Sequence, residues 1–150
     1  MKKFRLPIRY GIAISGSLIA YFLILSLLGW HTNPIFSLFN SVIVAFGIYN
    51  AIRTYKLEQD EAFNYSSGFI VGIITGFMSN IIFTVFFLVY ATEINPSFID
   101  ELLTVFKSNY NVSVGLVTFV VAIMGFATTV ILTLTFMQIF KKSWNIPQNQ

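Results

Sequence analysis

Four long runs of this 150-residue chain contain no charged residue, and they limit the folds open to it more than any other feature. Each run is about long enough to cross a hydrocarbon layer of ~30 Å, because an α-helix rises 1.5 Å per residue. We therefore predict an all-α fold, a bundle of four transmembrane helices that forms a single integral membrane domain. The spans are expected at about residues 11–30, 35–52, 65–90 and 112–140.

The composition agrees with a membrane protein and indicates which class of partner it binds. Apolar residues make up 56% of the chain and charged residues 10%, whereas soluble domains carry about 25% charged residues. The net charge is +3, and the basic residues flank the apolar runs. This pattern favours anionic lipid head groups as partners and not nucleic acid, which would require a continuous basic face. The absence of cysteine excludes disulfides and thiolate chemistry.

The nine Lys and Arg residues are divided unequally among the segments that connect the spans. Lys107 alone lies between the third and fourth spans. The other eight lie in the two tails and in the linker between the second and third spans: Lys2, Lys3, Arg5, Arg9, Arg53, Lys56, Lys141 and Lys142. Because basic residues accumulate on the cytoplasmic side of membranes, both termini are predicted to be cytoplasmic.

The segment between the third and fourth spans shows an amphipathic pattern at about residues 97–108. The apolar members are Phe98, Leu102, Val105 and Phe106, and the polar ones are Asp100, Glu101, Thr104, Lys107 and Ser108. This spacing predicts a short helix on the outer surface of the membrane. Packing across the mouth of the bundle and docking of a partner are the two interpretations of this helix, and the sequence favours neither.

Small residues form a regular row in the third span. Gly68, Gly72 and Gly76 repeat every four residues, and Asn80 continues the row. Residues four apart share one helix face, so a neighbouring helix can approach closely there. We predict a helix-packing seam, with a homodimer contact or a gating hinge as alternatives.

Several polar residues lie inside the predicted spans. They are Asn40, Ser79, Asn80, Thr128 and Thr129. An unpaired amide in hydrocarbon costs several kcal/mol. We therefore predict an intramembrane polar cluster that links Asn80 to Asn40 or to the two threonines. It would either hold the helices together or form a path for a solute or ion.

Residues suited to catalysis or metal binding are scarce. The single histidine, His31, lies in an outer turn, and Glu58, Asp60 and Glu61 belong to a solvated linker. No hydrolase, zinc-protease or phosphate-loop motif is present. No charged residue lies within a predicted span, which weighs against ion-coupled transport. We expect no catalytic, cofactor-binding or metal-binding residue, and no enzymatic activity.

One stretch of the chain resembles a known bacterial family. Its elements are Arg53-Thr54-Tyr55-Lys56, Phe63-Asn64-Tyr65-Ser66-Ser67-Gly68-Phe69 with Gly72, and Tyr90 with Ile94-Asn95-Pro96-Ser97-Phe98. They resemble the uncharacterised membrane family named domain of unknown function 4199. The resemblance implies four helices in a bacterial cytoplasmic (inner) membrane, and it brings no activity, ligand or catalytic residue.

Together these features predict a non-enzymatic membrane protein. The favoured role is a structural or regulatory component that interacts with membrane proteins or lipids, alone or as a homo-oligomer. The alternative is a small oligomeric channel or facilitator for a solute or ion.

Overall fold

The computed structural model describes residues 2–105 and 112–141 of the chain. This part of the chain forms five α-helices and no β-strand. The helices are α1 (Lys2–Leu27), α2 (Pro34–Gln59), α3 (Tyr65–Val89), α4 (Phe98–Val105) and α5 (Val114–Phe140). A 3₁₀ turn, Asp60–Ala62, follows α2, and a π-helical turn, Tyr90–Ile94, extends α3. The predicted all-α fold is confirmed.

Four helical stretches are long enough and apolar enough to cross a membrane. They are Phe4–Leu27, Pro34–Ala62, Tyr65–Ile94 and Val114–Phe140. Their outward faces carry large exposed apolar side chains, among them Phe46, Phe119 and Ile139. Such a surface is stable where lipid replaces water around the helices. The chain thus has the make-up of a multi-pass membrane protein.

The helices extend further than the uncharged runs that predict them. α1 already begins at Lys2, within the basic tail, and α2 continues past Arg53 and Lys56 to Gln59. Charged residues exclude a segment from hydrocarbon, but they do not interrupt the hydrogen bonds of a helix that continues into polar surroundings. The linker between the second and third spans is therefore mostly helical.

Polar side chains cap the N-termini of three helices. Asn33 caps α2, Asn64 caps α3 and Ser113 caps α5, each by accepting a hydrogen bond from a backbone N–H two or three residues further on. Pro34 occupies the first position of α2, where its missing N–H leaves no intrahelical bond unmade. The local sequence therefore fixes where these helices start.

The long helices pack around α3. This helix contacts α1 and α5 most extensively, and α2 contacts α1, α3 and α5. The start of α1, the α2–α3 connection and the end of α5 lie at one end of the bundle, here called the terminal end. The α1–α2 turn and α4 lie at the opposite end, here called the α4 end.

Only the second half of α2 is packed into the bundle. Its buried residues are Gly47, Ile48, Ala51, Ile52 and Tyr55. They form the core of the terminal end together with Met137 and Phe140 of α5. None of residues 34–46 is buried. The first half of α2 therefore stands away from α3 and α5 toward the α4 end.

The short helix α4 packs across the α4 end of the bundle. Phe98 and Ile99 are buried there, whereas Asp100, Glu101 and Thr104 are exposed. This division matches the predicted amphipathic pattern, although the last part of the predicted helix, residues 106–108, lies outside the described residues. Its location on the outer surface of a membrane stays a prediction.

Candidate functional site: a cavity between α2 and α5

The glycine row of α3 faces α5, which runs in the opposite direction. A Cβ atom added to Gly68, Gly72 or Gly76 would overlap one α5 side chain in each case. The α5 partners are, in that order, Met137, Thr133 and Thr129. The two helices can approach closely because the glycines lack side chains, and close approach maximises van der Waals contact. The row is occupied by α5 of the same chain.

One turn further along α3, the glycine of the contact between the two helices belongs to α5. Asn80 lies against Gly125, and its Nδ2 donates a hydrogen bond of 2.9 Å to the carbonyl oxygen of Ala122. The sequence reasoning identified the α3 side of this seam and missed the α5 side. A spacing of four residues again provides the signal, since it relates Gly125, Thr129, Thr133 and Met137.

A cavity of about 610 Å³ lies where the first half of α2 stands away from the bundle. Cavities of ~300–1,000 Å³ are typical of small-molecule sites. All five α-helices contribute to its walls. The five residues of the predicted polar cluster, Asn40, Ser79, Asn80, Thr128 and Thr129, all line it.

The polar side chains around the cavity bond to the backbone and not to one another. The hydroxyls of Ser79, Thr128 and Thr129 donate to carbonyl oxygens three or four residues earlier in their own helices, at 2.8–3.0 Å. Asn40 differs, because its Oδ1 is buried and accepts no hydrogen bond within the described part of the chain. The structure thus gathers the five residues around one space without a direct bond from Asn80 to the others.

The described residues that line the cavity carry no charge. None of them is Asp, Glu, Lys or Arg. Leucine, valine and phenylalanine side chains supply most of the surface. Within residues 2–105 and 112–141, no three His, Cys, Asp or Glu residues come together as a metal site. The arrangement suits a neutral, mainly apolar molecule, because a charged group would find no ionic partner there.

The cavity opens sideways, between α2 and α5. On the α1 side it is closed, since the hydroxyl of Tyr21 donates a hydrogen bond of 3.0 Å to the carbonyl oxygen of Phe36. On the other side, the lining residues Leu38 of α2 and Val120 and Met124 of α5 are exposed. In a membrane, this opening would face the lipid chains.

Residues that match a known protein family cover most of the chain. The family described as "Protein of unknown function (DUF4199)" matches residues 9–142. The chain belongs to this family. The resemblance noted in the sequence is thereby confirmed, and the description of the DUF4199 family names no activity. We found no significant match to the chain among curated proteins or among solved structures.

In this DUF4199 protein, a cluster of aromatic rings borders the cavity at the α4 end. His31 stacks on Phe98 with ring centroids 5.0 Å apart, and Phe22 meets both rings edge-on. Both ring nitrogens of His31 are buried without a hydrogen-bond partner among the described residues. This burial lowers the pKa of His31, and the carboxylate of Glu101 opposes the shift by raising it.

The environment of His31 leads us to expect weaker docking of α4 at acidic pH. An undocked His31 titrates near pH 6.5, whereas docking lowers its pKa. The docked state is therefore fully favoured above about pH 6.5 and loses stability as the pH falls toward the lowered pKa. Hydrogen exchange of the Phe98–Val105 amides, corrected for intrinsic rates, measures this loss. His31→Phe keeps an aromatic ring, and a pH dependence that persists in this variant would contradict the assignment.

Proposed function

We propose that this DUF4199 protein is a non-enzymatic structural or regulatory component of a bacterial cytoplasmic membrane, and that it acts by holding a lipid-like molecule in the cavity between α2 and α5. The observation that carries the proposal is the sideways opening of an uncharged cavity among exposed apolar residues. A molecule dissolved in the bilayer could enter there without crossing an aqueous layer. The described residues of the walls supply no carboxylate or amine that could work with the imidazole of His31 in acid–base chemistry.

The proposed orientation places the terminal end in the cytoplasm and the α4 end outside. Arg5, Arg9 and Arg53 are exposed at the terminal end, where they would contact anionic head groups of the inner leaflet. We expect a reporter enzyme that is active only outside the cytoplasm to work when it is fused after Asn109. The same reporter should be inactive after Glu58 or Gln150, and the reverse pattern would refute this orientation.

Blocking the opening tests the function itself. Val120 lines the cavity and is 47% exposed, whereas Ile123, one turn further along α5, is 50% exposed and lies outside the lining. We expect Val120→Trp to reduce the amount of the co-purified lipid-like molecule about tenfold, which corresponds to ~1.4 kcal/mol of binding free energy. Mass spectrometry of gently extracted protein measures this amount.

Ile123→Trp serves as the control, because it adds the same ring to an equally exposed position. It should leave the retained molecule unchanged. If no molecule is retained by the wild-type protein, or if both tryptophan variants retain the same amount as the wild type, the proposed function is wrong.

A channel or facilitator is the second candidate, because amides and hydroxyls line the cavity. We favour binding over permeation, since Ile52 and Met137 are fully buried in a closely packed terminal-end core, which leaves no open path beyond the cavity. Solute flux into sealed vesicles that changes on substitution of Asn80 or Gly76 would reverse this preference.

A further inference from the structure

We infer that a pocket between α1 and the start of α3, at the terminal end of the bundle, binds the phosphate group of a phospholipid. This pocket is separate from the cavity between α2 and α5, and the site goes beyond the proposed function. Its volume is about 300 Å³, at the lower limit of the ~300–1,000 Å³ that small-molecule sites have.

The polar side of the pocket is the N-terminus of α3. Asn64 caps this helix, and its Oδ1 accepts hydrogen bonds from the backbone N–H and the hydroxyl of Ser67 at 2.8 and 2.6 Å. The backbone N–H groups of Tyr65 and Ser66 belong to the same first turn and have no acceptor within the helix. A helix end carries about half a positive charge there, and such ends bind phosphate groups.

A hydroxyl group from another helix provides separate evidence for a ligand in this pocket. Tyr55 of α2 lines the pocket and is only 5% exposed. Its hydroxyl makes no hydrogen bond with the described part of the chain, and it is not one of the unpaired atoms that protein covers completely. Buried tyrosine hydroxyls usually have a partner. An oxygen atom of a ligand in the pocket can accept the hydrogen bond that Tyr55 leaves unmade.

The remainder of the pocket is apolar, which favours a lipid over a free phosphate ion. Ser66, Ile70 and Ile74 all line it, and their spacing of four residues places them on one face of α3. Phe4 of α1 also lines the pocket, and both Phe4 and Ile70 are exposed. A phosphate group at Ser66 would therefore continue into a hydrocarbon chain along Ile70 and Ile74, toward the middle of the bundle.

The charges near the pocket suit an anion with a single charge. None of the described residues that line the pocket is Asp, Glu, Lys or Arg. Arg5 is exposed next to Phe4 on α1, whereas Asp60 and Glu61 are exposed in the turn before Asn64. Because this acidic pair would repel a second negative charge, the singly charged phosphodiester of a phospholipid fits better than a dianion.

Lipid binding to the full chain in detergent tests the site, with native mass spectrometry as the measurement. The probes are phosphatidylglycerol, the diacylglycerol with the same chains, and inorganic phosphate. We expect phosphatidylglycerol to bind about tenfold more tightly than the diacylglycerol, since hydrogen bonds to the phosphate are lost in the latter. Equal affinities would overturn the inference. Excess inorganic phosphate should not displace the lipid, and displacement would overturn the assignment to a lipid in favour of a soluble phosphate.

A change of charge at Ser66 locates the site. Ser66→Asp and Ser66→Asn introduce side chains of the same shape that differ by one negative charge. Asp in the first turn favours a helix, so the acidic variant should fold. We expect Ser66→Asp to weaken phosphatidylglycerol binding about tenfold relative to Ser66→Asn, because like charges repel. Equal affinities of the two variants would mean that the phosphate does not bind at this helix end.

Removal of the tyrosine hydroxyl is the second test. Tyr55→Phe keeps the ring and should weaken phosphatidylglycerol binding about fivefold, as expected for one lost hydrogen bond, with diacylglycerol binding unchanged. Tyr49→Phe is the matched control on α2, because Tyr49 lies outside the pocket lining and packs against Phe136 and Phe140. If the two variants bind phosphatidylglycerol equally well, the inference is wrong.

The proposed function and this site can fail independently. Val120 of α5 lines the cavity and not the pocket beside α1. Phosphatidylglycerol binding should therefore persist in Val120→Trp, the variant that blocks the cavity. Loss of this binding in Val120→Trp would place the lipid in the cavity and overturn the second site, while the proposed function would stand.

Discussion

Gly76→Ala is expected to lower the free energy of unfolding by about 1–3 kcal/mol, the usual cost of overpacking a close contact. The added methyl group would overlap the side chain of Thr129, whose Cβ would lie only 2.9 Å away. α3 and α5 would have to separate along the whole seam, since the same helices also touch at Gly72 and Gly68. Unfolding of the purified protein in a denaturing detergent series measures the change.

The chain offers a matched control for this substitution. Gly16 also lies within a long helix, but nothing lies within 4 Å of the position that its Cβ would occupy. Gly16→Ala should therefore be neutral or stabilising by up to ~1 kcal/mol, because alanine favours the helix. A Gly76→Ala protein as stable as Gly16→Ala would show that the seam is not close-packed.

A double variant isolates the contact itself. Thr129→Ala removes the methyl and hydroxyl groups that meet the new Cβ at Gly76. Combined with Gly76→Ala, it should recover part of the lost stability, so that the two changes are not additive. Strict additivity would mean that Thr129 is not the residue that opposes the substitution.

Phe98→Ala is expected to release α4 and to cost about 3–5 kcal/mol, as is usual when a buried phenylalanine is truncated. Phe98 is 1% exposed, and its ring packs against those of Phe22, Tyr90 and His31 with centroids 5.0–5.8 Å apart. Without it, α4 loses its main contact with the bundle. Amide exchange of Phe98–Val105 should accelerate strongly, as measured by mass spectrometry.

Ile94→Ala controls for the loss of apolar volume in the same segment, because Ile94 is 60% exposed. Exchange in α4 should stay near the wild-type rate in this variant. If Phe98→Ala also exchanges at the wild-type rate, the aromatic cluster does not anchor α4.

The fold could be predicted from the sequence largely because charge and hydrogen bonding are local. The uncharged runs locate four apolar helices, and the caps that the structure shows at Asn33 and Asn64 are likewise set by neighbouring residues. The seam on α3 was visible for a similar reason, since small residues stand out against large ones along a helix.

The cavity could not be predicted in the same way. In a soluble helix, a change from apolar to polar residues separates the buried face from the exposed one. Residues 34–46 are apolar on most sides, whether they face lipid or the interior. The displacement of this half of α2 depends on which neighbours fill the space beside it, and that information lies in distant parts of the chain.

The unequal packing of α2 has a mechanical consequence. α3 and α5 pack closely along the glycine row and leave each other little room to move. Before Gly47, α2 is tied to α1 by the hydrogen bond from Tyr21 to the carbonyl oxygen of Phe36, and its close packing begins at Gly47, where the side chain of Ile14 lies against the glycine. A small bend of α2 at Gly47 would widen or narrow the gap beside α5 without disturbing the packing of α3 on α5. For the proposed lipid-like molecule, the stiffness of α2 would then set how wide a molecule can enter, while α3 and α5 keep their positions.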